Sequence, residues 1–318
     1  MNPLPNLEFL RAFVVTADNR VIKTAAEQLG VSPSAVSQAI AKLETQMGRP
    51  LFVKHARPLR LTPAGLRLLE EARVLTSTAE TLVERVAGTD LGTQKIRLGL
   101  SESVTSSIAP WLIAALIERV GELTTESQLA LPLVDRLCRD EIDVMVAPNA
   151  VTQEERFLRE PLYDEEFLFV CAKNAENEGM SSGTMTEIRP FVGFVQGSTD
   201  KINIERILRT LNIHPRKRIL VSSSYDMVGL IAMTNGWSLM TPTALWCGRQ
   251  FMKEVVFSPL PKGHQHARRM WVVGDRHLRR DAVILTAKLV REIFREKMLP
   301  ELSSAAKGLD GFVSFPEP

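Results

Sequence analysis

Cysteines and long apolar runs are both scarce in this chain. Its 318 residues include three cysteines, Cys138, Cys171 and Cys247, which are widely spaced and odd in number. That argues against a disulfide framework and fits the reducing cytoplasm. No apolar run approaches the ~20 residues that span a bilayer, so we expect no membrane partner. The stretch Met1–Phe9 does not resemble a signal peptide, and we therefore expect a cytoplasmic protein.

The motifs of common catalytic sites are absent from the sequence as well. There is no Gly-x-Ser-x-Gly elbow, no His-Glu-x-x-His motif and no glycine-rich phosphate loop. Of the five histidines, His264 and His266 lie close together, but two ligands without a third favour a surface loop over a metal site. For the cysteines, buried packing is favoured over redox sensing. We predict a protein that is not an enzyme and uses no metal or cofactor.

Charge is distributed unevenly along the chain. The net charge of the chain is only +2. Residues 1–62 hold eight basic and four acidic side chains, a net charge of +4, so the rest of the chain has a net charge of −2. A small basic module on a slightly acidic body suits a protein whose N-terminal part meets phosphate groups. A later basic group, Arg268–Arg269 with Arg276 and Arg279–Arg280, is interpreted as a solvated face.

The basic module has the pattern of a winged helix-turn-helix. Helical periodicity covers residues 6–16, 22–29 and 33–47. Gly30 suits the turn after the second helix, while Ser32 and Pro33 form a cap and first turn for the third. Two short strands, 51–53 and 59–61, flank a basic loop. A major groove admits one such helix, so this pattern predicts binding to double-stranded DNA.

Several residues of this module are candidates for DNA contact. Gln38 can bond an adenine in two places, and the short side chains of Ser34 and Ser37 allow close approach. Lys42 suits a phosphate, and the basic loop can reach the backbone or the minor groove. The predicted DNA-binding set is Lys23, Ser32, Pro33, Ser34, Ser37, Gln38, Lys42, Lys54, Arg57 and Arg60.

A long helix and an α/β region follow the module. The pattern after Thr62-Pro63 continues for about 25 residues without Gly or Pro until Gly88, and its apolar stripe needs a partner helix. After a hinge-like segment, 88–93, strand and helix patterns alternate, which predicts a mostly parallel sheet covered on both faces. The segment 301–318, with Ser, Gly and Pro, is predicted to be a flexible tail.

The module resembles the N-terminal signature of LysR-type transcriptional regulators. The stretches that carry the resemblance are Leu7–Phe13, Thr24–Gln38, Leu43–Glu44, Gly48–Phe52 and Leu61–Gly65, within a match that covers about 60 residues without a gap. One departure is Arg20-Val21-Ile22, where the family usually has a Gly-Ser-Phe-like segment. Ile22 keeps an apolar anchor, but a helix cap and phosphate contact are lost, and Lys23 is the candidate to replace that contact.

The resemblance implies an α/β architecture in three parts. These are a winged helix-turn-helix over 1–62, a linker helix and hinge over 63–92, and a two-lobed, periplasmic-binding-protein-like effector domain over 93–300. Lobe one would take 93–163 and 267–300, and lobe two 164–266. The linker helix would pair with its copy, so that two recognition helices meet two half-sites, in a homodimer or a homotetramer. RNA polymerase stays open as a further partner.

The resemblance also implies a small-molecule effector between the lobes, at the carboxyl ends of strands. Residues predicted there are Ser101, Glu102, Ser103, Pro148, Gln196, Gly197, Ser198, Ser222 and Ser224. Glu102 is unusual in a site for a carboxylate, because it could repel one, pair with a ligand amine or point away. The effector class therefore stays open. The alternative is a DNA-binding repressor without any small-molecule effector.

Overall fold

The computed structural model describes residues 4–53, 56–87, 91–148, 155–174, 186 and 188–316. The chain divides into two compact units, Met1–Thr89 with Cys138–Glu141 and Asp90–Leu137 with Ile142–Pro318. Among the residues described, no helix has both the length and the apolar character needed to cross a membrane.

The first unit contains four helices over its described residues: α1 Leu7–Asn19, α2 Ile22–Leu29, α3 Pro33–Met47 and α4 Pro63–Ala87. Their ends follow from local chemistry. The Asn6 side chain accepts the backbone N–H of Glu8 and caps α1. Gly30 and Gly48 end α2 and α3 in the left-handed conformation, with φ of 67° and 65°. Leu10, Phe13 and Leu43 are fully buried at the centre of the core that these helices share.

The wing is shorter than the sequence predicted. Instead of two strands, the described residues form one isolated bridge between Phe52 and Leu61. Two backbone bonds extend it, from Val53 N–H to the Arg60 carbonyl at 2.8 Å and from Thr62 N–H to the Leu51 carbonyl at 2.9 Å. Glu44 on α3 secures the base, because its Oε1 accepts the N–H of Leu51 at 2.7 Å.

Helix α4 begins at this base and divides its apolar residues between two surroundings. Leu68 and Leu69 pack against the core of the unit, and Ala72 is fully buried. Leu66 and Leu75, by contrast, are 57% and 48% exposed. Exposed leucines on a long helix agree with the expectation that its apolar stripe needs a partner.

The second unit contains two sheets. The first consists of β1 Lys95–Ser101, β2 Glu122–Gln128, β3 Val144–Pro148, β4 Phe157–Glu166, β10 Ala267–Asp275 and β11 Val313–Ser314, in the order β11-β4-β10-β3-β1-β2. The second consists of β5 Leu168–Ala172, β6 Phe191–Phe194, β7 Arg218–Val221, β8 Trp237–Met240 and β9 Val255–Pro259, in the order β7-β6-β8-β5-β9. The chain passes from the first sheet to the second at Phe167 and returns before Ala267.

Helices cover these sheets, and one hydrophobic cluster runs through the whole unit. They are α5 Glu102–Ser107, α6 Ala109–Ile117, α7 Ala130–Cys138, α8 Thr199–Thr210, α9 Ser224–Thr234, α10 Pro242–Cys247, α11 Arg280–Ile293 and α12 Leu299–Ala305. A π-helical segment, Phe294–Met298, joins α11 to α12. Helix α5 follows β1 of the first sheet directly, whereas α8 and α9 follow β6 and β7 of the second sheet after short loops.

The expectation of a mostly parallel sheet is wrong, because both sheets are mixed. β1 pairs in parallel with β2 and β3, but β10 runs antiparallel to both β3 and β4. In the second sheet β5 is antiparallel to β8 and β9. The first sheet is mixed because the chain leaves it along β4 and returns to it along β10, and these two strands run in opposite directions.

The flexible tail predicted for 301–318 is also wrong over the residues described there. Leu302 and Leu309 are fully buried, and Val313 pairs with Glu165 when β11 joins the edge of β4. Phe312 contacts Phe257 of β9 edge to face, with ring centroids 6.3 Å apart. Apolar residues spaced along a polar segment account for this docking, whereas composition alone suggested disorder.

Candidate functional sites

One face of α3 is exposed and carries the residues predicted to contact DNA bases. Val36, Ile40 and Leu43 point into the core, while Ser34, Ser37 and Gln38 lie on the solvent side. Ser32 caps the helix by accepting the Ala35 N–H at 3.2 Å, and Pro33 occupies the first turn. The start of α3 is thus fixed by its own cap and can present short side chains without a bulky neighbour.

Hydrogen bonds within α3 define what these side chains can still offer. The Ser37 hydroxyl donates to the Pro33 carbonyl at 3.0 Å, so its oxygen remains an acceptor for an outside donor. The Lys42 ammonium lies 5.6 Å from the centre of the Phe9 ring and is exposed. A cation held over an aromatic ring at the surface keeps its charge available to a phosphate.

The other predicted basic contacts lie on α2 and the wing. Lys23, Arg57 and Arg60 are exposed, whereas Lys54 falls outside the described residues. Val21 precedes α2 and makes no side-chain capping bond, as the departure at this position implied. Exposed cations on α2, α3 and the wing form a surface able to meet several phosphates.

A cleft in the second unit brings together residues from both sheets. It encloses about 260 Å³ of space, part of which is open solvent, and lies at the carboxyl ends of β1, β3 and β6. Its lining residues are Ser101, Glu102, Ser103, Leu129, Ala130, Pro148, Phe194, Ser198, Thr199, Asp200 and Arg268. Five of the nine predicted effector residues belong to this lining, namely Ser101, Glu102, Ser103, Pro148 and Ser198.

The other four predicted effector residues do not line the cleft. Gln196 accepts a bond from Lys201 Nζ at 3.3 Å, and the Gly197 carbonyl accepts the Leu131 N–H at 3.1 Å. Ser222 follows β7 outside the lining. Ser224 supports a lining residue instead, since its N–H and hydroxyl both donate to Glu102, at 3.1 and 2.6 Å.

This contact explains the unusual Glu102. Its carboxylate sits at the first turn of α9, where the free N–H groups and the helix dipole favour a negative charge. Glu102 follows β1 of the first sheet, and α9 belongs to the second sheet. The pair therefore fixes the two lobes to each other beside the cleft.

Arg268 is the main residue that the sequence analysis misplaced. It was interpreted as part of a solvated face, yet it is 3% exposed and lines the cleft. Its Nε and Nη2 donate to Glu165 Oε2 at 3.0 and 2.8 Å, and its Nη1 donates to Asp200. Arg279 of the same basic group is also buried and bonds Asp143 at 3.0 Å. Only the fold shows the carboxylates that make this burial tolerable.

Two hydroxyl residues complete the Arg268 network. Nη2 also donates to Thr243 Oγ1 at 3.1 Å and to Ser103 Oγ at 3.3 Å. Thr243 in turn donates its N–H and its hydroxyl to Glu165 Oε1, at 2.8 and 2.7 Å. One guanidinium thus links β10 of the first sheet to α8 and α10 of the second.

Burial and charge compete in this network. Burial raises the pKa of Asp200 above its ordinary 3.8, and the neighbouring Arg268 charge offsets only part of that rise. For Arg268, burial alone would lower the pKa, but the charges of Asp200 and Glu165 outweigh it and keep the guanidinium protonated.

Two of the three cysteines are buried, and Cys138 is half-buried. Cys171 and Cys247 are buried, and burial raises the pKa of Cys247 well above its ordinary value. Its Sγ donates to the Ser103 carbonyl at 3.9 Å. Within the part of the chain that the structure covers, no group of three His, Cys, Asp or Glu side chains could hold a metal ion.

These features define a helix-turn-helix protein with a two-lobed α/β domain. Residues 7–66 match the family described as "Bacterial regulatory helix-turn-helix protein, lysR family", and residues 89–298 match "LysR substrate binding domain". The chain therefore belongs to the LysR family, and the family and fold class predicted from the sequence are confirmed.

Individual relatives agree with this family. A "Probable hydrogen peroxide-inducible genes activator" of Mycobacterium avium is 36% identical over 169 residues, 52% of this chain and 53% of the relative. The protein of the same name from Mycobacterium xenopi is 34% identical over 169 residues, 52% of this chain and 88% of the relative. The chain thus aligns with about half the length of the first relative.

Solved structures show the same fold. A full-length OxyR variant from Pseudomonas aeruginosa superposes with a TM-score of 0.70 at 20% identity, covering 91% of this chain and 95% of that one. At this identity the likeness concerns the fold alone.

Proposed function

We propose that this chain is a sequence-specific transcriptional regulator of the LysR type, which binds promoter DNA and responds to a small molecule in the cleft. The observation that carries the DNA part is the exposed face of α3. There, residues able to bond base edges lie on the solvent side of a helix whose opposite side is buried. Such a protein would act in the cytoplasm.

In this proposal α3 enters the major groove. Gln38 bonds an adenine in two places, and Pro33, Ser34 and Ser37 lie against neighbouring bases. The cationic residues hold phosphates on either side and include Lys23, Lys42, Lys54, Arg57 and Arg60. Ser32 acts by fixing the first turn of α3 at the groove.

Dimerisation would give the DNA-binding protein two-fold symmetry. Exposed Leu66 and Leu75 on α4 can pack against the same helix of a second copy, which places two α3 helices on two half-sites. A dimer of dimers would contact DNA at two such sites. RNA polymerase is a further partner for an activator of this kind.

The cleft supports an effector-responsive protein over an effector-free repressor. The match of residues 89–298 to a substrate binding domain points in the same direction. Besides the five lining residues predicted from the sequence, Thr199, Asp200 and Arg268 become candidates for effector contact or for holding the lobes around it.

A peroxide response, which the names of the mycobacterial relatives suggest, finds no accessible thiol at Cys171 or Cys247, and only Cys138 is half-buried. A peroxide-reactive cysteine needs an accessible thiol that ionises readily. Cys171 and Cys247 are buried, and the pKa of Cys247 is raised. We propose a non-covalent effector instead.

Selection of bound sequences from a random DNA library tests the DNA part. Gln38→Ala should relax preference at one position of each half-site, by about 1–3 kcal/mol of discrimination. Arg57→Ala should weaken all sequences evenly and lower the salt slope by about one. Gln250→Ala, an exposed glutamine in the second unit, should change neither. An even loss across all sequences for Gln38→Ala would contradict its role in reading bases.

A further inference from the structure

Two buried polar atoms in the cleft lining make no hydrogen bond within the described residues. They are Asp200 Oδ1 and Ser101 Oγ. Both residues are 4% exposed, so bulk water does not satisfy them. Buried hydrogen-bond acceptors are normally paired. An unpaired acceptor in a cleft can therefore accept a hydrogen bond from a ligand.

Arg268 is not a free receptor for an anionic ligand, although it lines the same cleft. Its Nε and Nη2 are directed to Glu165, and its Nη1 to Asp200. Two buried carboxylates already compensate this single cation. An incoming carboxylate would have to displace one of them and leave that charge buried without a partner.

The charge around the cleft favours a cation. Glu102 and Asp200 line it, and Glu165 lies behind Arg268, so three carboxylates face one guanidinium. Glu102 is bonded to the first turn of α9, whose helix dipole offsets part of the carboxylate charge but carries no full positive charge. An ammonium group has three donors and no acceptor, which matches two unpartnered acceptors beside a negative surplus.

The remaining lining limits what the cation can carry. Leu129, Pro148 and Phe194 supply an apolar wall. A short hydrocarbon chain can pack against such a wall.

Resting on the proposed function as an effector-responsive regulator, we propose that the cleft binds a small primary amine. Its ammonium group donates to Asp200 Oδ1 and Ser101 Oγ, and its hydrocarbon part lies against Leu129, Pro148 and Phe194. The unusual Glu102 adds to the negative field that attracts the amine.

Calorimetric titration of the full chain with three matched probes tests this proposal. We expect n-propylammonium to bind at least tenfold more tightly than 1-propanol or propionate, which have the same carbon skeleton without the cation. Tighter binding of propionate would overturn the amine proposal, and so would the absence of heat from all three probes.

Substitutions then locate the ammonium group. Ser101→Ala removes a hydroxyl that bonds nothing in the described chain, so the fold loses no hydrogen bond, and amine affinity should fall about tenfold. Asp200→Asn removes the charge and should abolish amine binding. Ser258→Ala on β9, outside the lining, is the matched control and should bind as the wild type does. Unchanged affinity in Ser101→Ala and Asp200→Asn would overturn the assignment.

The same preparations report on the proposed function separately. Their binding to a selected DNA sequence is measured by fluorescence anisotropy with and without n-propylammonium. Specific DNA binding together with preference for propionate would overturn the amine class and leave the regulator intact. Loss of specific DNA binding by the unmodified chain would instead overturn the proposed function itself.

Discussion

The α3 surface and the cleft differ in where their charges lie and in what holds their residues in place. On α3, Ser34, Ser37 and Gln38 are exposed and come from one short stretch whose geometry the helix sets. The cleft places buried Asp200 and Arg268 together from segments 68 residues apart, and each charge depends on the other. Exposed side chains on α3 can therefore be changed without cost to the fold, whereas the paired charges of the buried site cannot.

The largest expected effect tests this dependence at adjacent arginines. Arg268→Met should destabilise the second unit by about 4 kcal/mol, because Glu165 and Asp200 lose their buried cation. Arg269→Met, which removes an exposed pair with Asp164, should cost no more than about 1 kcal/mol. Urea unfolding of both variants measures the two losses of stability. Similar midpoints would show that burial does not distinguish the two arginines.

A second prediction concerns Asp143, a buried carboxylate of the second unit outside the cleft. Burial by itself would raise its pKa, but bonds and charges from Arg97 and Arg279 outweigh burial and hold the pKa below its ordinary 3.8. Asp143→Asn should cost about 3 kcal/mol at pH 7, since Arg279 loses the buried negative charge that it bonds at 3.0 Å.

The direction of the pKa shift determines how the stability contribution of Asp143 changes with pH. A lowered pKa in the folded state means that Asp143 contributes fully above its ordinary pKa, and that the contribution is lost as pH falls through the folded-state value. The difference between wild type and Asp143→Asn should therefore shrink below about pH 4. Glu122→Gln, which breaks the exposed pair with Lys95, serves as the control. A difference that grows on acidification would contradict the ion-pair argument.

The smallest effect is expected in the first unit, at Gly65. A Cβ there would lie 2.2 Å from the Leu51 carbonyl, where α4 crosses the base of the wing. Gly65→Ala should cost about 2 kcal/mol and weaken DNA binding through a displaced wing. The surface change Gln38→Ala should leave the melting temperature unchanged. Equal melting temperatures for both variants would show that the backbone at Leu51 can move away from the added Cβ at little cost.

How much of each region could be predicted depends on whether the residues that determine it are close together in the sequence. The bounds 22–29 and 33–47 agree with the observed α2 and α3, because Gly30, Ser32 and Pro33 are local signals. Short-range chemistry determined both helix ends and the exposed face. The DNA contacts themselves stay a prediction.

The cleft was only partly predictable because its determinants are distant in the sequence. Ser101 and Ser198 were found because they follow strand patterns and precede helices. Arg268 was missed, since nothing near it in the chain shows that Glu165 and Asp200 would surround it. The strand Glu122–Gln128 was missed for a related reason, because at the sheet edge it needs no apolar alternation.

The pairing of β11 with β4 has a consequence for association between chains. β4 would otherwise present a row of free N–H and C=O groups at the margin of its sheet, and such rows recruit strands from other molecules. Two residues, Val313 and Ser314, occupy that margin at Glu165 and Asp164. Strand β11 thus covers part of the β4 edge and hinders pairing with another chain there, next to the Glu165 carboxylate that bonds Arg268.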